Sequence, residues 1–251
     1  MNRFYFKQEQ KYGNQVILTG DEVNHIKNVL RLTPGEPVML CDGAGMDFPG
    51  TIIKIEGREV LIQIGEGIPS GTELPGRLYL FQGLPKKDKM EWIIQKAVEL
   101  GVYEIIPVQT RRTVVKIEDR KKEARKLERW NSIALSAAKQ SHRGIVPKVH
   151  SVMGYGESLD YAKELDCAMI PYELASGTVH TETVVKRAAN ALSAGIFIGP
   201  EGGFDEEEIL QAEQRGITPV TLGHRILRTE TAGLMVLSLI GFQMELCQEI
   251  K

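Results

Sequence analysis

Three loops in the last third of the 251-residue chain carry residue types that could hold a small ligand. The middle loop, IGPEGGF at 198–204, places Gly199, Gly202 and Gly203 directly after an apolar run, and glycines let backbone N–H groups approach a ligand closely. Its Glu201 would repel a pyrophosphate, and the GK[ST] ending of a phosphate-binding loop is absent. The pattern predicts either a site for a cationic ligand or only a tight turn from strand to helix.

The third loop, LGHRILRTETAG at 222–233, combines two cations with a carboxylate. Arg225, Arg228 and Glu230 surround an Ile-Leu pair, and a helix is expected to begin near Thr229. Arg228 and Glu230 could form a local salt bridge or take part in catalysis. The ILR segment could equally fold over an adenine.

These loops must be positioned by the elements around them, and residues 77–251 read as strands alternating with helices. The apolar runs are RLYLFQG, VYEIIPVQ, LDCAMIPYE, GIFIGPEGG and ITPVTLG. The helical segments are 86–101, 119–141, 178–192, 205–215 and 229–248, with Asp205 as a predicted N-cap. Such alternation predicts a parallel sheet with ligands at the carboxyl ends of its strands.

The first 67 residues read differently, as short strands around one helix. The GAG at 43–45 separates two runs of β-forming residues and predicts a hairpin. A small, mostly antiparallel barrel is the expected fold. Proline, glycine and serine cluster at 68–76, where we place the domain boundary.

Composition excludes several classes of protein. With 42% hydrophobic and 25% charged residues and a net charge of −2, the chain is neither a polycation nor mainly disordered. Its three cysteines are widely spaced, which fits neither a disulfide framework nor a zinc finger. The histidines show no metal-binding spacing, and we expect no metal site. Without a signal peptide or an apolar run long enough for a membrane, a cytoplasmic location is predicted.

The small net charge conceals an uneven distribution. Residues 82–150 hold sixteen lysines and arginines against eight acidic residues, and residues 151–251 hold seven against fifteen. The basic run at 119–129 alone is typical of a solvated helix face. Arginines beside loops are better candidates for contacts to RNA phosphates. The predicted RNA-binding residues are Arg3, Arg31, Arg111, Arg112 and Arg143.

Several of these motifs together carry a resemblance to a known family. They are IGPEGGF followed by Glu208, LGHRILRTETA, ELGV at 99–102, QSHR at 140–143 and VLR at 29–31. Taken in their order along the chain, they resemble the bacterial 16S ribosomal RNA uracil-N3 methyltransferase family, within the SPOUT superfamily of S-adenosylmethionine-dependent enzymes. Thr113, Lys139 and His224 depart from the usual family residues, the first two on the side expected to face RNA.

The resemblance implies an architecture and partners. Residues 1–72 would form a PUA-like RNA-binding β-barrel, and residues 73–251 an α/β SPOUT methyltransferase domain whose C-terminal part forms a trefoil knot around the cofactor. The family acts as a homodimer on 16S ribosomal RNA or the small ribosomal subunit. Methyl transfer to uridine N3 requires an unpaired base and loss of the N3 proton.

The resemblance also implies a set of site residues. Arg228 would stabilise the imide anion of the base, and Glu201 would contact the cofactor or the base unless it makes only a turn contact. Glu230 would anchor Arg228. The predicted S-adenosylmethionine-binding residues are Pro171, Gly199, Pro200, Glu201, Gly202, Gly203, Leu222, Gly223, Ile226, Leu227 and Thr231.

Two alternatives remain at this point. The same fold could methylate a ribose 2′-OH or a tRNA base. Alternatively, the protein could be a non-catalytic RNA-binding assembly factor that uses the knot only to dimerise.

Overall fold

The computed structural model describes residues 1–114, 120–175 and 177–249, and the chain forms two compact units. The first is Met1–Glu73 with Ala138–Val146, and the second is Leu74–Ala137 with Pro147–Lys251. The division lies one residue beyond the predicted 72/73 boundary, and the segment 138–146 also belongs to the first unit. The Glu73 carboxylate holds this segment, since it accepts from the N–H of Gly144 at 2.8 Å.

The first unit is built on a seven-stranded sheet that fits the predicted PUA-like domain. Its strands are β1 Asn2–Tyr5, β2 Lys11–Tyr12, β3 Gln15–Thr19, β4 Pro37–Cys41, β5 Met46–Glu56, β6 Glu59–Ile64 and β7 Ile68–Pro69. The order is β1-β4-β5-β6-β3-β2 with β7 on β5, and every pair except β1 with β4 is antiparallel. The hairpin predicted at 43–45 joins β4 to β5 and is confirmed.

One short helical segment crosses this unit. Helix α1, Asp21–Asn24, continues directly as a π-helical stretch, His25–Val29. A separate 3-10 turn lies earlier in the chain, at Gln8–Gln10. Ile26 from the π-helical stretch is buried with Phe4 and Leu40 of the strands. Alternate residues of β3 and β6 point into the same core, as the period of a half-buried strand requires.

The second unit is built on the predicted parallel sheet. Its strands are β8 Arg77–Gly83, β9 Val102–Gln109, β10 Lys148–Val149, β11 Met153–Gly154, β12 Cys167–Pro171, β13 Ser193–Ile198 and β14 Thr218–Val220. The order is β10-β9-β8-β13-β12-β14, with β11 on β9, and all of these pairs are parallel. In the centre, the rings of Phe81 and Phe197 stack at 4.3 Å.

Six helices accompany the sheet in the described residues. They are α2 Lys89–Glu99, α3 Arg120–Gln140, α4 Tyr155–Ala162, α5 Thr178–Ala189, α6 Glu206–Gln214 and α7 Thr229–Glu249. The apolar stripe predicted on α2, from Met90 to Val98, is buried. The predicted start of α3 at Asp119 lies outside the described residues, and α4 is an additional helix that the sequence did not predict.

Helix α7 is the most apolar of these helices. Thr229–Gln248 is long enough to cross a membrane and has a mean hydropathy of 1.2. A core helix meets the same criterion, and α7 packs on α2, α5 and β13 of its own unit. Its Val236, Leu237 and Ile240 are buried. Its other side carries Leu239 and Phe242, which are exposed.

Candidate active site

The loops that follow β12, β13 and β14 line one cavity of about 870 Å³ in the second unit. Because β12 pairs with both β13 and β14 in parallel, the carboxyl ends of the three strands meet at one edge of the sheet. The structure therefore brings together most of the residues predicted to hold the cofactor. Those lining the cavity are Pro171, Gly199, Pro200, Glu201, Gly202, Gly203, Leu222, Gly223, Ile226 and Leu227.

Thr231 is the exception in the predicted set. It is exposed and is not among the lining residues, whereas Arg228, Thr229 and Ala232 are. Helix α7 begins at Thr229, so Arg228 and Ala232 lie four residues apart on one face of its first turn. The predicted helix start is confirmed, and a cofactor contact of Thr231 stays a prediction.

The turn at Pro200–Gly203 has a defined backbone shape. The Gly203 N–H donates to the Pro200 carbonyl at 2.9 Å, and Gly203 has a φ of 67°, which glycine adopts at little cost. A Cβ on Gly83 would lie 2.7 Å from the Pro200 backbone nitrogen. Glycine at position 83 thus permits the end of β8 to pack directly against this turn.

The predicted N-cap at Asp205 is confirmed. Its carboxylate accepts from the Glu207 N–H at 3.1 Å, and the Glu208 carboxylate accepts from the Asp205 N–H at 2.9 Å, which completes a capping box. Glu208 is buried, with 2% of its surface exposed. The N-terminus of α6, which follows the turn, is therefore capped by the side chains of Asp205 and Glu208.

A buried polar chain ties the turn to the start of α7. Gln82, fully buried at the end of β8, donates from Nε2 to Thr229 Oγ1 at 2.9 Å. The Thr229 hydroxyl in turn donates to the Gly199 carbonyl at 2.6 Å. The sequence analysis missed both residues, although a glutamine at the end of the apolar run RLYLFQG was a usable signal.

Glu201 is engaged by two lysines. Its carboxylate accepts from Lys89 Nζ at 3.0 Å and from the Lys86 N–H at 3.1 Å. Burial acts to raise the pKa of the Glu201 carboxyl, but these hydrogen bonds outweigh it and hold the pKa below its ordinary value. The hydrogen bond to Glu201 also raises the pKa of Lys89, so both groups stay charged.

The expected salt bridge between Arg228 and Glu230 is wrong. Glu230 Oε2 lies instead 3.5 Å from Lys89 Nζ and is buried without a closer hydrogen-bond partner among the described residues. Lys89, which the sequence analysis did not single out, lines the cavity and serves both carboxylates. Its position at the start of α2 gave no sign of this role.

Arg228 and Arg225 both line the cavity and are exposed. Within the described parts of the chain, neither guanidinium takes part in an ion pair or side-chain hydrogen bond. The charges of Lys89 and Glu201 in the cavity lining therefore neutralise each other, whereas Arg225 and Arg228 contribute positive charge that no described carboxylate neutralises.

Arg111 and Arg112 follow β9 and reach the same turn from outside. Arg111 pairs with Asp205 at 3.3 Å and with Glu207, and Arg112 Nη1 donates to the Gly202 carbonyl at 2.8 Å. Both side chains remain about half exposed. Contacts to RNA phosphates remain a prediction for these two residues.

In the first unit Arg3 and Arg143 are largely buried and paired, which disfavours the RNA-binding role predicted for them. Arg143 is 4% exposed and binds the Glu73 carboxylate, and Arg3 binds Asp47 at 2.7 Å with 10% of its side chain exposed. Buried, paired guanidinium groups have little surface left for phosphates. Arg31 is exposed, with a φ of 55°, and keeps its predicted role as a hypothesis.

No group of three or more histidine, cysteine or carboxylate residues is placed to hold a metal ion in the described ranges. Cys41 and Cys167 are buried, and burial raises the pKa of both thiols. The cavity is lined by glycine backbone together with lysine, arginine and carboxylate groups.

Comparisons with known proteins match this architecture. A family model described as an RNA methyltransferase domain matches residues 72–241, and one described as an RNA methyltransferase PUA domain matches residues 18–65. The ribosomal RNA small subunit methyltransferase E of Bacillus subtilis is 39% identical, covering 98% of each chain. The enzyme of the same name from Mesomycoplasma hyopneumoniae is 34% identical over 95% of this chain and 98% of its own.

A solved structure is similar over the same length. The ribosomal RNA small subunit methyltransferase E of Neisseria gonorrhoeae, bound to S-adenosylmethionine, is 34% identical, covers 95% of each chain and has a TM-score of 0.81. Because the domain model spans more than half of the sequence and the relatives span nearly all of it, the chain belongs to the ribosomal RNA small subunit methyltransferase E family.

Proposed function

We propose that this protein transfers a methyl group from S-adenosylmethionine to N3 of a uridine in small-subunit 16S ribosomal RNA. The observation that carries the proposal is that the turn Pro200–Gly203 and Arg228, which has no ion-pair partner among the described residues, line the same cavity. The relatives named above supply the substrate class and the cofactor.

The residues present fit the cofactor. The cavity of about 870 Å³ has the size of pockets that enclose small ligands. Its apolar side chains, Leu222 and Leu227, suit an adenine, and the carboxylates of Glu173 and Glu201 suit the cationic sulfonium and ammonium groups. When bound, S-adenosylmethionine would supply the methyl group and leave as the neutral thioether.

The protein's own part in the reaction is positioning and electrostatics. Methyl transfer requires N3, the methyl carbon and sulfur in line, and a fixed turn backed by Gln82 and Thr229 provides a rigid wall for that alignment. Loss of the N3 proton leaves negative charge on the uracil oxygens. Arg228, cationic and unpaired in the described chain, would stabilise that charge.

Three further features belong to this proposal. A trefoil knot would be formed by the segment after β13, whose loops line the cavity together. A homodimer would cover the exposed apolar side of α7 at Leu239 and Phe242. A ribosomal RNA substrate would place the enzyme in the cytoplasm.

Methyl transfer to naked 16S ribosomal RNA and to purified small subunits tests the proposal directly. With labelled cofactor we expect incorporation into one of these substrates, and mass spectrometry of the digested RNA should identify 3-methyluridine. A methyl group on a ribose 2′-OH or on tRNA would indicate the alternative SPOUT activity. Cofactor binding without any incorporation would contradict the proposed activity.

The adenosine side of the cavity can be tested separately through Ile226. This side chain lines the cavity and is 89% exposed, so replacing it with aspartate should leave folding intact. A carboxylate beside an apolar base should weaken cofactor binding by about tenfold or more, as measured by calorimetry. Normal binding by the folded Ile226→Asp variant would remove this loop from the adenosine site.

A further inference from the structure

The loop after β9 is attached to the turn Pro200–Gly203 through one side chain. Arg112 Nη1 donates to the Gly202 carbonyl at 2.8 Å, and Nη2 lies 3.7 Å from Asp205 Oδ2. The stem also packs closely, because a Cβ on Gly202 would lie 3.2 Å from Arg112 Cβ. Arg112 thus contacts the turn with both its stem and its guanidinium.

The rest of the turn is held by other groups. The Gly199 carbonyl accepts from Thr229, and the Glu201 carboxylate accepts from Lys89 and the Lys86 N–H. The Gly202 carbonyl, in the hydrogen bonds of the described residues, is bound by Arg112. Arg112 therefore holds the Gly202 carbonyl, the part of the turn that these other contacts do not reach.

The loop that presents Arg112 is itself fixed. The Thr110 N–H donates to Thr113 Oγ1 at 3.1 Å, and the two hydroxyl groups lie 2.9 Å apart. The Arg111 N–H donates to the buried Glu208 carboxylate at 2.9 Å. Because the backbone on either side of Arg112 is already bonded, its guanidinium is preorganised toward the turn.

Arg111 provides a contrast within the same loop. Among the described residues its guanidinium contacts the carboxylates of Asp205 and Glu207, and neither residue lines the cavity. Ion pairs between exposed groups of this kind contribute little to stability. The two neighbouring arginines therefore carry equal charge but make different contacts to the turn.

We propose that Arg112 is a positioning residue for cofactor binding, acting through the Gly202 carbonyl rather than only through RNA phosphates. The identity of the cofactor rests on the proposed function. Loss of the Arg112 guanidinium would leave the Gly202 carbonyl without this hydrogen bond, in a turn that lines the cavity. The turn would then have to be ordered when the cofactor binds, which weakens affinity.

Calorimetry with S-adenosylmethionine on two matched variants tests this inference. Arg112→Met keeps the stem beside Gly202 and removes the guanidinium, and we expect the Kd to rise roughly 5- to 10-fold. Arg111→Met removes the same charge from the same loop, and its Kd should stay within about twofold of wild type. In the methylation assay Arg112→Met should raise the KM for the cofactor and leave kcat at saturation nearly unchanged.

Arg112→Lys provides the conservative comparison, because an ammonium can reach the Gly202 carbonyl but not Asp205 at the same time. We expect it to recover part of the lost affinity, and it also serves if Arg112→Met does not fold. The inference would be overturned if Arg112→Met bound the cofactor with wild-type affinity and an unchanged KM. If Arg112→Met does not fold, the same result in Arg112→Lys would overturn it. An equal loss of affinity in Arg111→Met would overturn it as well. A wild-type protein that binds no S-adenosylmethionine would instead contradict the proposed function.

Discussion

Replacing Arg228 with methionine is expected to lower kcat by about 10²- to 10³-fold, the loss found when one donor to a developing anion is removed. Arg228 lines the cavity, and its guanidinium has no ion-pair partner among the residues described. A cation without a local partner is free to interact with the uracil oxygens as N3 loses its proton. Single-turnover methylation with saturating RNA and cofactor measures this effect directly.

The affinity for S-adenosylmethionine separates catalysis from binding in this variant. We expect Arg228→Met to bind the cofactor within about twofold of wild type, since a cation contributes little to holding a cationic sulfonium. Arg225→Met is the matched comparison, because Arg225 also lines the cavity and is also unpaired in the described chain. It should raise the KM for RNA more than it lowers kcat. Unchanged turnover in Arg228→Met would remove the catalytic role.

The cavity could be predicted from the sequence because its determinants are local. Within about a dozen residues, an apolar run predicts the strand, Gly199–Gly203 the turn and the Asp205 cap the helix. Because the strands pair in parallel, the turns that follow them lie at the same edge of the sheet. The helix start at Thr229 was equally local. The side of that first turn that lines the cavity is harder to predict, since Thr231 and Ala232 differ by one residue and by about 100° around the helix axis.

The arginines show the opposite case, in which the deciding partner is distant in sequence. Arg143 lies next to a loop and reads as a surface cation, but its partner Glu73 is 70 residues away. Arg3 likewise forms an ion pair with Asp47, 44 residues further along the chain. Local charge patterns cannot distinguish a cation that pairs across a fold from one that faces solvent. The same limit explains why Lys89, paired with Glu201 over 112 residues, was overlooked.

The Arg143–Glu73 ion pair is largely buried within the first unit. The Glu73 carboxylate accepts from Arg143 Nε at 3.2 Å and also from the backbone N–H groups of Gly144 and Ile145 at 2.8 and 3.0 Å. The Tyr5 hydroxyl donates to the Arg143 carbonyl. Each charge is therefore compensated inside the unit, and removing either partner strands the other in a poorly solvated site.

Arg143→Met is accordingly expected to lower the free energy of unfolding by about 3–5 kcal/mol, as is typical when one partner of a buried ion pair is removed. Urea denaturation followed by circular dichroism measures the change. Arg58→Met, an exposed arginine on the same unit, should change stability by less than about 0.5 kcal/mol. In the double variant Arg143→Met with Glu73→Gln the loss should be smaller than the sum of the single losses, because no buried charge is left unpaired. Equal stability of Arg143→Met and Arg58→Met would show that Arg143 is not held as described and would restore it as a candidate for RNA contact.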